Sequence, residues 1–229
     1  MPFLIDFKKY RLVDLSPKLI PGEVYGPAGD KRRLEVREFS YPPGEKMHQV
    51  DMETHIGAHV EVPAHWMPAR YKEHGKDLSE VPLESFIGEA VFIDMSKAKP
   101  RTLIAPEMLI ENDVRPNDIV LIGNGAYSGP NLLERHAISN EAAKWMAERP
   151  IKMLGVDNSV LPESFEAIKN PKLESYATHD YLLKNDILLI EGLSNLGSLR
   201  KKRFFFIGFP PKIAKLDAFP IRAVAIEEI

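Results

Sequence analysis

The stretch that decides the fold reads His55-Ile56-Gly57-Ala58-His59-Val60-Glu61-Val62-Pro63-Ala64-His65. Its odd positions carry His, Gly, His, Glu, Pro and His, whereas the even positions from 56 to 66 carry Ile, Ala, Val, Val, Ala and Trp. Successive side chains of an extended chain point to opposite faces. The pattern therefore predicts one apolar face packed on the core, with Trp66 in it, and an opposite face that presents three imidazoles and one carboxylate.

The reach of a straight strand is a constraint on this segment. Four residues of strand span about 13 Å, which leaves His55 and His59 barely able to share one ion. A helical turn would bring positions i and i+4 together, but Pro63 and the valines disfavour a long helix. We therefore expect a bend near Gly57, since a residue without Cβ accepts a bulge or an unusual φ.

The side chains on the polar face indicate the kind of site. Beyond the bend, His59 and Glu61 would be neighbours on one extended piece. Imidazole together with carboxylate suits zinc, manganese or iron. The chain has no cysteine, so thiolate sites and disulfides are excluded and any metal must be held by His, Asp or Glu. The segment thus predicts a divalent metal site.

Composition limits the other classes of function. The chain has 229 residues, of which 44% are hydrophobic and 28% charged, as in an ordinary globular protein. Its net charge of -3 argues against nucleic acid as the main partner, because phosphate binding needs a concentrated basic face. Residues 1–16 do not resemble a secretory signal, and no stretch has the roughly 20 apolar residues of a membrane helix. We expect a cytoplasmic protein with a small-molecule substrate and no membrane partner.

The pattern along the chain predicts an α/β domain with a mixed sheet and few helices, spanning residues 1–229 as a single unit. The clearest helix covers residues 139–148, where Ser139 or Asn140 can provide the cap and Pro150 ends it. Short runs rich in Val, Ile and Leu between turn residues predict strands. These runs are residues 10–15, 33–39, 89–94, 118–122, 151–156, 186–190, 204–207 and 221–226.

The histidine stretch resembles the signature of the cyclase family, which includes bacterial kynurenine formamidase and isatin hydrolase. That signature is His-x-Gly-Thr-His-x-Asp-x-Pro-x-His, and it is matched here by His55, Gly57, His59, Pro63 and His65. Ala58 and Glu61 replace its threonine and aspartate.

Further segments resemble the same family in the same order. Glu191 begins Glu-Gly-Leu-Ser-Asn-Leu, which is similar to the family's Glu-Asn-Leu-x-Asn-Leu, and it follows His179 by twelve residues. The runs at 13–16, 154–159 and 220–225 are similar to its opening strand, its Gly-Ile-Asp-x-x-Ser strand end and its closing Pro-x-Arg-Ala strand. The resemblance thus covers nearly the whole chain.

The resemblance implies a swivelling β/β/α fold, usually assembled into homodimers or tetramers. It also implies one or two divalent ions, most simply zinc or manganese, and metal ligands at His55, His59, Glu61, His179 and Glu191. His65 would be the catalytic histidine, beside the metal. Because glutamate is one methylene longer than aspartate, Glu61 could hold one ion where an aspartate bridges two.

The function that this implies is hydrolysis of an amide, formamide or lactone bond of a small molecule by metal-activated water, as in an arylformamidase. A second reading is a metal-assisted cyclase or dehydratase. A third is a non-catalytic protein that binds a metal or ligand on the same scaffold. His65 favours an enzyme, because a purely structural site has no need of an unligated histidine beside it.

Overall fold

The computed structural model describes residues 6–25, 32–125 and 134–229. The strands in this part of the chain are β1 (Tyr10–Asp14), β2 (Val24–Tyr25), β3 (Arg32–Tyr41), β4 (Glu45–Met52), β5 (His59–Glu61), β6 (Ile87–Asp94), β7 (Leu103–Ile104), β8 (Ile119–Gly123), β9 (His136–Ile138), β10 (Met153–Asp157), β11 (Val160–Leu161), β12 (Leu188–Leu193), β13 (Arg203–Ile207), β14 (Ala218–Pro220) and β15 (Val224–Glu228). The α-helices are α1 (Met67–Tyr71), α2 (Pro106–Glu111), α3 (Asn140–Glu148), α4 (Phe165–Lys169) and α5 (Ala177–Leu183).

A nine-stranded mixed sheet organises the molecule, in the order β1-β15-β13-β6-β8-β10-β12-β5-β14. Its central strands β6, β8, β10 and β12 are parallel, and the strands on either side of them pair antiparallel. Two smaller three-stranded sheets, β11-β9-β7 and β2-β3-β4, complete the fold. The predicted α/β class with a mixed sheet and few helices is confirmed.

Two apolar cores cover the two faces of the central strands. In β8, Val120 and Ile122 contribute to one core and Ile119 and Leu121 to the other, because alternate side chains of a strand point to opposite faces. The first core is closed by α3 and α5, whose mutual contacts place apolar side chains over the sheet. Burial on both faces explains why the parallel strands read as continuous apolar runs in the sequence.

Helix α3 begins and ends as the sequence predicts. The hydroxyl of Ser139 accepts a hydrogen bond from the amide of Ala142 at 3.0 Å and so caps the helix. The predicted final strand, residues 221–226, by contrast begins only at Val224, as β15, and a separate short strand, β14, precedes it. Between them the amide of Ile221 donates to the carbonyl of Ala58 and that of Ala223 donates to the hydroxyl of Ser16, so the chain leaves one strand pair and enters another.

The decisive stretch is extended only in part. Ile56, Ala58, Val60 and Val62 are all buried, as the alternation predicts, and Trp66 is buried as well. The strand is short, however, because residues Pro63–His65 form a 3-10 turn. Proline at the start of such a turn loses no hydrogen bond, since its missing N–H would be unpaired there.

The predicted bend lies at Gly57, which has a φ of +60°. A second glycine secures it from β12: Gly192 has a φ of +72°, and a Cβ on it would lie 2.2 Å from the Gly57 carbonyl oxygen. The backbones at Gly57 and Gly192 therefore lie closer together than a side chain on Gly192 would allow. This contact fixes the loop that carries His55.

We expect Gly192→Ala to destabilise the protein strongly, because the new Cβ meets backbone and the left-handed φ alone costs about 1–2 kcal/mol. Thermal or urea unfolding measures the loss. Gly22→Ala is the matched control, since Gly22 also has a positive φ (+86°) but no atom within 4 Å of the built Cβ. Equal stability losses in the two variants would show that the close approach is unimportant.

Strands β3 and β4 form a long hairpin that leaves the body of the molecule. Only its base, Leu34 and Met52, packs on Ile56. Farther out, apolar side chains on both faces are exposed, including Val36, Val50, Phe39, Met47 and Tyr41. The hairpin therefore has an uncovered apolar surface, and a two-stranded hairpin alone is only marginally stable in water.

No helix among the described residues is long and apolar enough to cross a membrane.

Candidate metal-binding active site

The site lies where β5 meets the carboxyl ends of the parallel strands. β5 runs between β12 and β14, with His59 opposite Glu191 on one side and opposite Pro220 on the other. Ligand sites of open α/β sheets commonly form at this edge. The short strand thus carries its polar side chains into the place where loops from several strands converge.

Glu61 is the centre of the site. It is 3% exposed, and four imidazoles surround its carboxylate. The Oε1 atom of Glu61 lies 3.0 Å from His55 Nδ1, 3.5 Å from His59 Nε2 and 3.9 Å from His65 Nε2. Its Oε2 atom lies 3.2 Å from His179 Nε2. One buried carboxylate therefore faces all four histidines that the sequence singles out.

The charges of this cluster are strongly coupled. Burial alone would raise the pKa of the Glu61 carboxyl, but the neighbouring imidazoles, His65 foremost, hold this pKa well below its usual range. Burial opposes protonation of His55, yet hydrogen bonds to Asp217 and Glu61 raise the pKa of His55 to about 9. His55 therefore favours its protonated form, which neutralises the carboxylates of Glu61 and Asp217.

His65 is held from behind by Asp217. The Nδ1 atom of His65 lies 2.8 Å from Oδ2 of Asp217, and the same oxygen lies 3.2 Å from Nε2 of His55. These two histidines hold the pKa of the Asp217 carboxyl well below its usual range. Because Nδ1 is bound to the carboxylate, His65 turns its Nε2 atom toward Glu61 and the centre of the site.

His179 is held in the same manner by Glu163. Glu163 is 1% exposed, and its Oε1 atom lies 2.6 Å from His179 Nδ1. The same carboxylate accepts hydrogen bonds from the amides of Thr178 and His179 at the start of α5. Nδ1 therefore donates to Glu163, and Nε2 is left to face Glu61.

We expect Glu163→Gln to weaken metal binding by about 10- to 100-fold, because a neutral amide no longer fixes the tautomer and orientation of His179. Titration of the metal-stripped protein with Zn²⁺ or Mn²⁺, followed by calorimetry, measures this. Glu166→Gln is a suitable control, since Glu166 is only three residues away and exposed in α4. Unchanged metal affinity in Glu163→Gln would contradict the orienting role.

The donor atoms fit a divalent ion. His59 donates from Nδ1 to the carbonyl of Gly57 at 2.9 Å, which leaves its Nε2 unprotonated in the neutral ring. That Nε2 atom and Oε2 of Glu61 are fully buried, and among the described residues neither makes a hydrogen bond of good geometry, although Oε2 lies 3.2 Å from His179 Nε2. Such poorly satisfied atoms are costly unless something binds them. In the described part of the chain, three triads have donor atoms within 4.8 Å of one another: His55, His59 and Glu61; Glu61, His65 and His179; His55, His65 and Asp217.

The comparison with protein families decides to which group the chain is related. Residues 13–161 match the model of the Cyclase family, described as Putative cyclase. The chain belongs to the cyclase family. The resemblance of the histidine stretch is thereby confirmed, and the matched residues include the whole of it.

Known cyclase-family relatives cover nearly the whole chain. The kynurenine formamidase of Erythrobacter litoralis is 28% identical over 223 residues, which are 95% of this chain and 94% of that protein. The kynurenine formamidase of Salinibacter ruber is 26% identical over 219 residues, covering 93% and 96% of the two chains. The relatives are hydrolases, and this cyclase-family chain is an enzyme of the same kind.

Solved structures share the fold. Isatin hydrolase A from Labrenzia aggregata, bound to benzyl benzoate, superposes with a TM-score of 0.80 at 23% identity, covering 97% of this chain and 95% of that one. A protein of Bacillus stearothermophilus described as a predicted metal-dependent hydrolase superposes with a TM-score of 0.74 at 20% identity, covering 95% and 98%. The architecture of this cyclase-family chain is therefore that of these proteins.

The structure brings together five of the six residues that the sequence predicts for the site: His55, His59, Glu61, His65 and His179. Glu191 is the exception. Its backbone lies opposite His59, but its carboxylate is in none of the triads of the described residues. Its placement beside the site is thus fixed by the strand register, and its role as a ligand stays a prediction.

Sequence reasoning missed Asp217 and Glu163. Both act on histidines that are distant in the chain: 152 residues separate His65 from Asp217. Asp217 precedes the Pro-x-Arg-Ala segment and pairs beside Glu61 through β14, but only the fold shows that adjacency. Glu163 lies just after β11, and an acidic residue in such a turn is ordinarily predicted to be exposed to solvent.

Proposed function

We propose that this enzyme is a metal-dependent hydrolase that cleaves an amide, formamide or lactone bond of a small molecule, in the manner of an arylformamidase. The observation that carries the proposal is the buried carboxylate of Glu61, which faces four imidazoles with poorly satisfied donor atoms and has a carboxylate-bound His65 at its edge. The relatives named kynurenine formamidase and isatin hydrolase support the bond type.

We propose His55, His59, Glu61, His179 and Glu191 as the ligands, holding one or two ions, with zinc or manganese suited to these nitrogen and oxygen donors. A divalent ion held there supplies Lewis acidity and lowers the pKa of a water from about 15.7 toward about 7. The donor set is supported by the triads and by the buried unpartnered atoms. Glu191 is supported by its register opposite His59.

His65 would move the proton that the reaction requires. Its Nδ1 is held by Asp217, so Nε2 is the nitrogen that can take a proton from the water and give it to the leaving nitrogen or oxygen. Asp217 would stabilise the protonated ring, as a carboxylate beside a catalytic imidazole does. Trp66 packs beside His179, with ring centroids 5.4 Å apart, and limits how far that ring can turn.

The test is a panel of aryl formamides, lactones and cyclic amides, assayed on protein whose metal content is measured. We expect turnover of at least one class, its loss on treatment with a chelator, and its return with added Zn²⁺ or Mn²⁺. Full activity after complete metal removal would overturn the proposal. Bound metal without turnover of any compound would favour the non-catalytic reading, and ring closure without hydrolysis would favour a cyclase or dehydratase.

We also propose that residues 1–229 form a single domain and that the protein assembles as a homodimer or a larger homo-oligomer in the cytoplasm. β1 and β15 pair directly, which joins the two ends of the described chain in one sheet. The β3–β4 hairpin supports assembly, because Phe39 and Tyr41 share one face with Met47 and are 45% and 58% exposed. Burial against another copy would cover this surface.

We expect the double variant Phe39→Ser, Tyr41→Ser to weaken assembly by tenfold or more in dissociation constant, since each large apolar side chain contributes roughly 1.5–3 kcal/mol when buried. Light scattering coupled to size-exclusion chromatography measures the mass across a dilution series. Leu83→Ser is the control, because Leu83 is 67% exposed and lies outside the hairpin. The same mass distribution in all three proteins would argue against the hairpin as an interface.

A further inference from the structure

Arg135 is a partly buried cation for which the described residues supply no hydrogen-bond partner at Nε. Its Nε atom is fully buried and makes no hydrogen bond, and no ion pair to its guanidinium is found within 4.0 Å among the described residues. Burial is the main influence on it and lowers the pKa of the guanidinium. Buried arginines are ordinarily paired with an acidic group. We therefore expect an anion to pair with Arg135.

The surroundings of Arg135 place it at the carboxyl edge of the parallel strands. Its neighbour His136 donates its amide to the carbonyl of Ser159, and the Ser159 hydroxyl donates to Asp157 at the end of β10. The acidic groups that act on Arg135 through their charge are Glu191 and Asp157. Glu191 lies opposite His59, and β10 and β12, which carry Asp157 and Glu191, lie on the side of β5 away from β14.

Neither of these acids serves as its partner. Asp157 is fully engaged: one oxygen accepts from the amide and hydroxyl of Ser159, and the other accepts from the amides of Asn124 and Gly125. Glu191 is not within ion-pair distance, and the proposed function assigns its carboxylate to the metal. A binding site for an external anion therefore remains beside the reacting groups.

We propose that Arg135 binds a carboxylate group of the substrate, so that the preferred substrate is an anionic amide or formamide rather than a neutral one. This inference rests on the proposed hydrolase function. A guanidinium is suited to the role because its planar fork of N–H donors matches a carboxylate. Its partial burial strengthens the attraction, since a charge at the boundary of the protein is screened less than one in water.

The test compares formanilide with 2-formamidobenzoate, which differ by a carboxylate. For the wild-type enzyme we expect the ratio of kcat/KM, anionic over neutral, to exceed one, and in Arg135→Gln we expect this ratio to fall by about 10- to 100-fold. Arg135→Lys should recover part of it. Arg149→Gln is the control, since Arg149 is exposed at the end of α3 over Trp145. A ratio that is the same in wild type and Arg135→Gln overturns the inference.

A binding measurement separates this inference from the hydrolase proposal. Calorimetry with benzoate and with benzamide needs no turnover. Benzoate that binds wild type at least tenfold more tightly than Arg135→Gln supports the anion site even if no formamide is hydrolysed, in which case only the hydrolase function fails. Hydrolysis with equal benzoate binding by the two proteins leaves the hydrolase standing and overturns the anion site. Metal content that falls in Arg135→Gln would show that Arg135 orders Glu191 instead, and this too overturns it.

Discussion

Glu61→Ala is expected to lose its bound metal and to lower kcat/KM by at least about a thousandfold. Among the described residues, this carboxylate alone faces all four imidazoles, whose nitrogen atoms lie 3.0 to 3.9 Å from it. Without this carboxylate, the four imidazoles lose the negative charge that they share, and a divalent ion loses an oxygen ligand. Loss of Lewis-acid stabilisation of several kcal/mol corresponds to this factor, at 1.36 kcal/mol for each tenfold.

Glu61→Asp is the informative companion of this variant. It keeps the charge and restores the residue of the family signature, but it withdraws the carboxylate by one methylene. We expect it to retain metal, with elemental analysis and kcat/KM measured on the same preparations. Metal content and activity in Glu61→Ala equal to those of Glu61→Asp would show that the carboxylate is not a ligand. Circular dichroism of all variants verifies that each is folded.

His65→Ala is expected to keep the metal and lose turnover. The ring lies at the edge of the cluster, 29% exposed, and is attached to Asp217 rather than enclosed among the donors. A positioned acid–base group contributes about 10²–10⁴ in rate, so kcat should fall by that factor while metal stoichiometry stays constant. The measurement pairs steady-state kinetics with metal analysis.

His74→Ala is the control for His65→Ala, because His74 is an exposed histidine whose contact is the surface carboxylate of Glu80. It should hydrolyse substrate at the wild-type rate. If His65→Ala loses metal as well, the histidine is a ligand and the division of roles is wrong. If it retains both metal and full turnover, another group moves the proton.

The alternation of the segment from 55 to 65 was sufficient to predict which side chains are buried and which converge. It worked because a two-residue period has only one arrangement that buries Val60 and Val62 and presents His59 and Glu61. The bend at Gly57 followed from reach and from the freedom of glycine. These are local properties, and a local sequence determines them.

The parts that the sequence did not predict depend on distant contacts. Asp217 reaches His65 because β14 adds to the outer edge of β5, and Glu163 reaches His179 because the segment after β11 returns over α5. No spacing in the chain signals either approach. The end of the strand at Pro63 was missed for a different reason: proline is compatible with the edge of a strand and with the first position of a helical turn, and the tertiary contacts select between them.

The shared carboxylate of Glu61 has a consequence for how the protein meets its environment. Because His55 beside it has a pKa raised to about 9, hydrogen ions and the proposed divalent cation would compete for the same atoms. Under the proposed function, acidification and loss of metal would therefore act on the same side chains, and each would replace one kind of positive charge in the site by another.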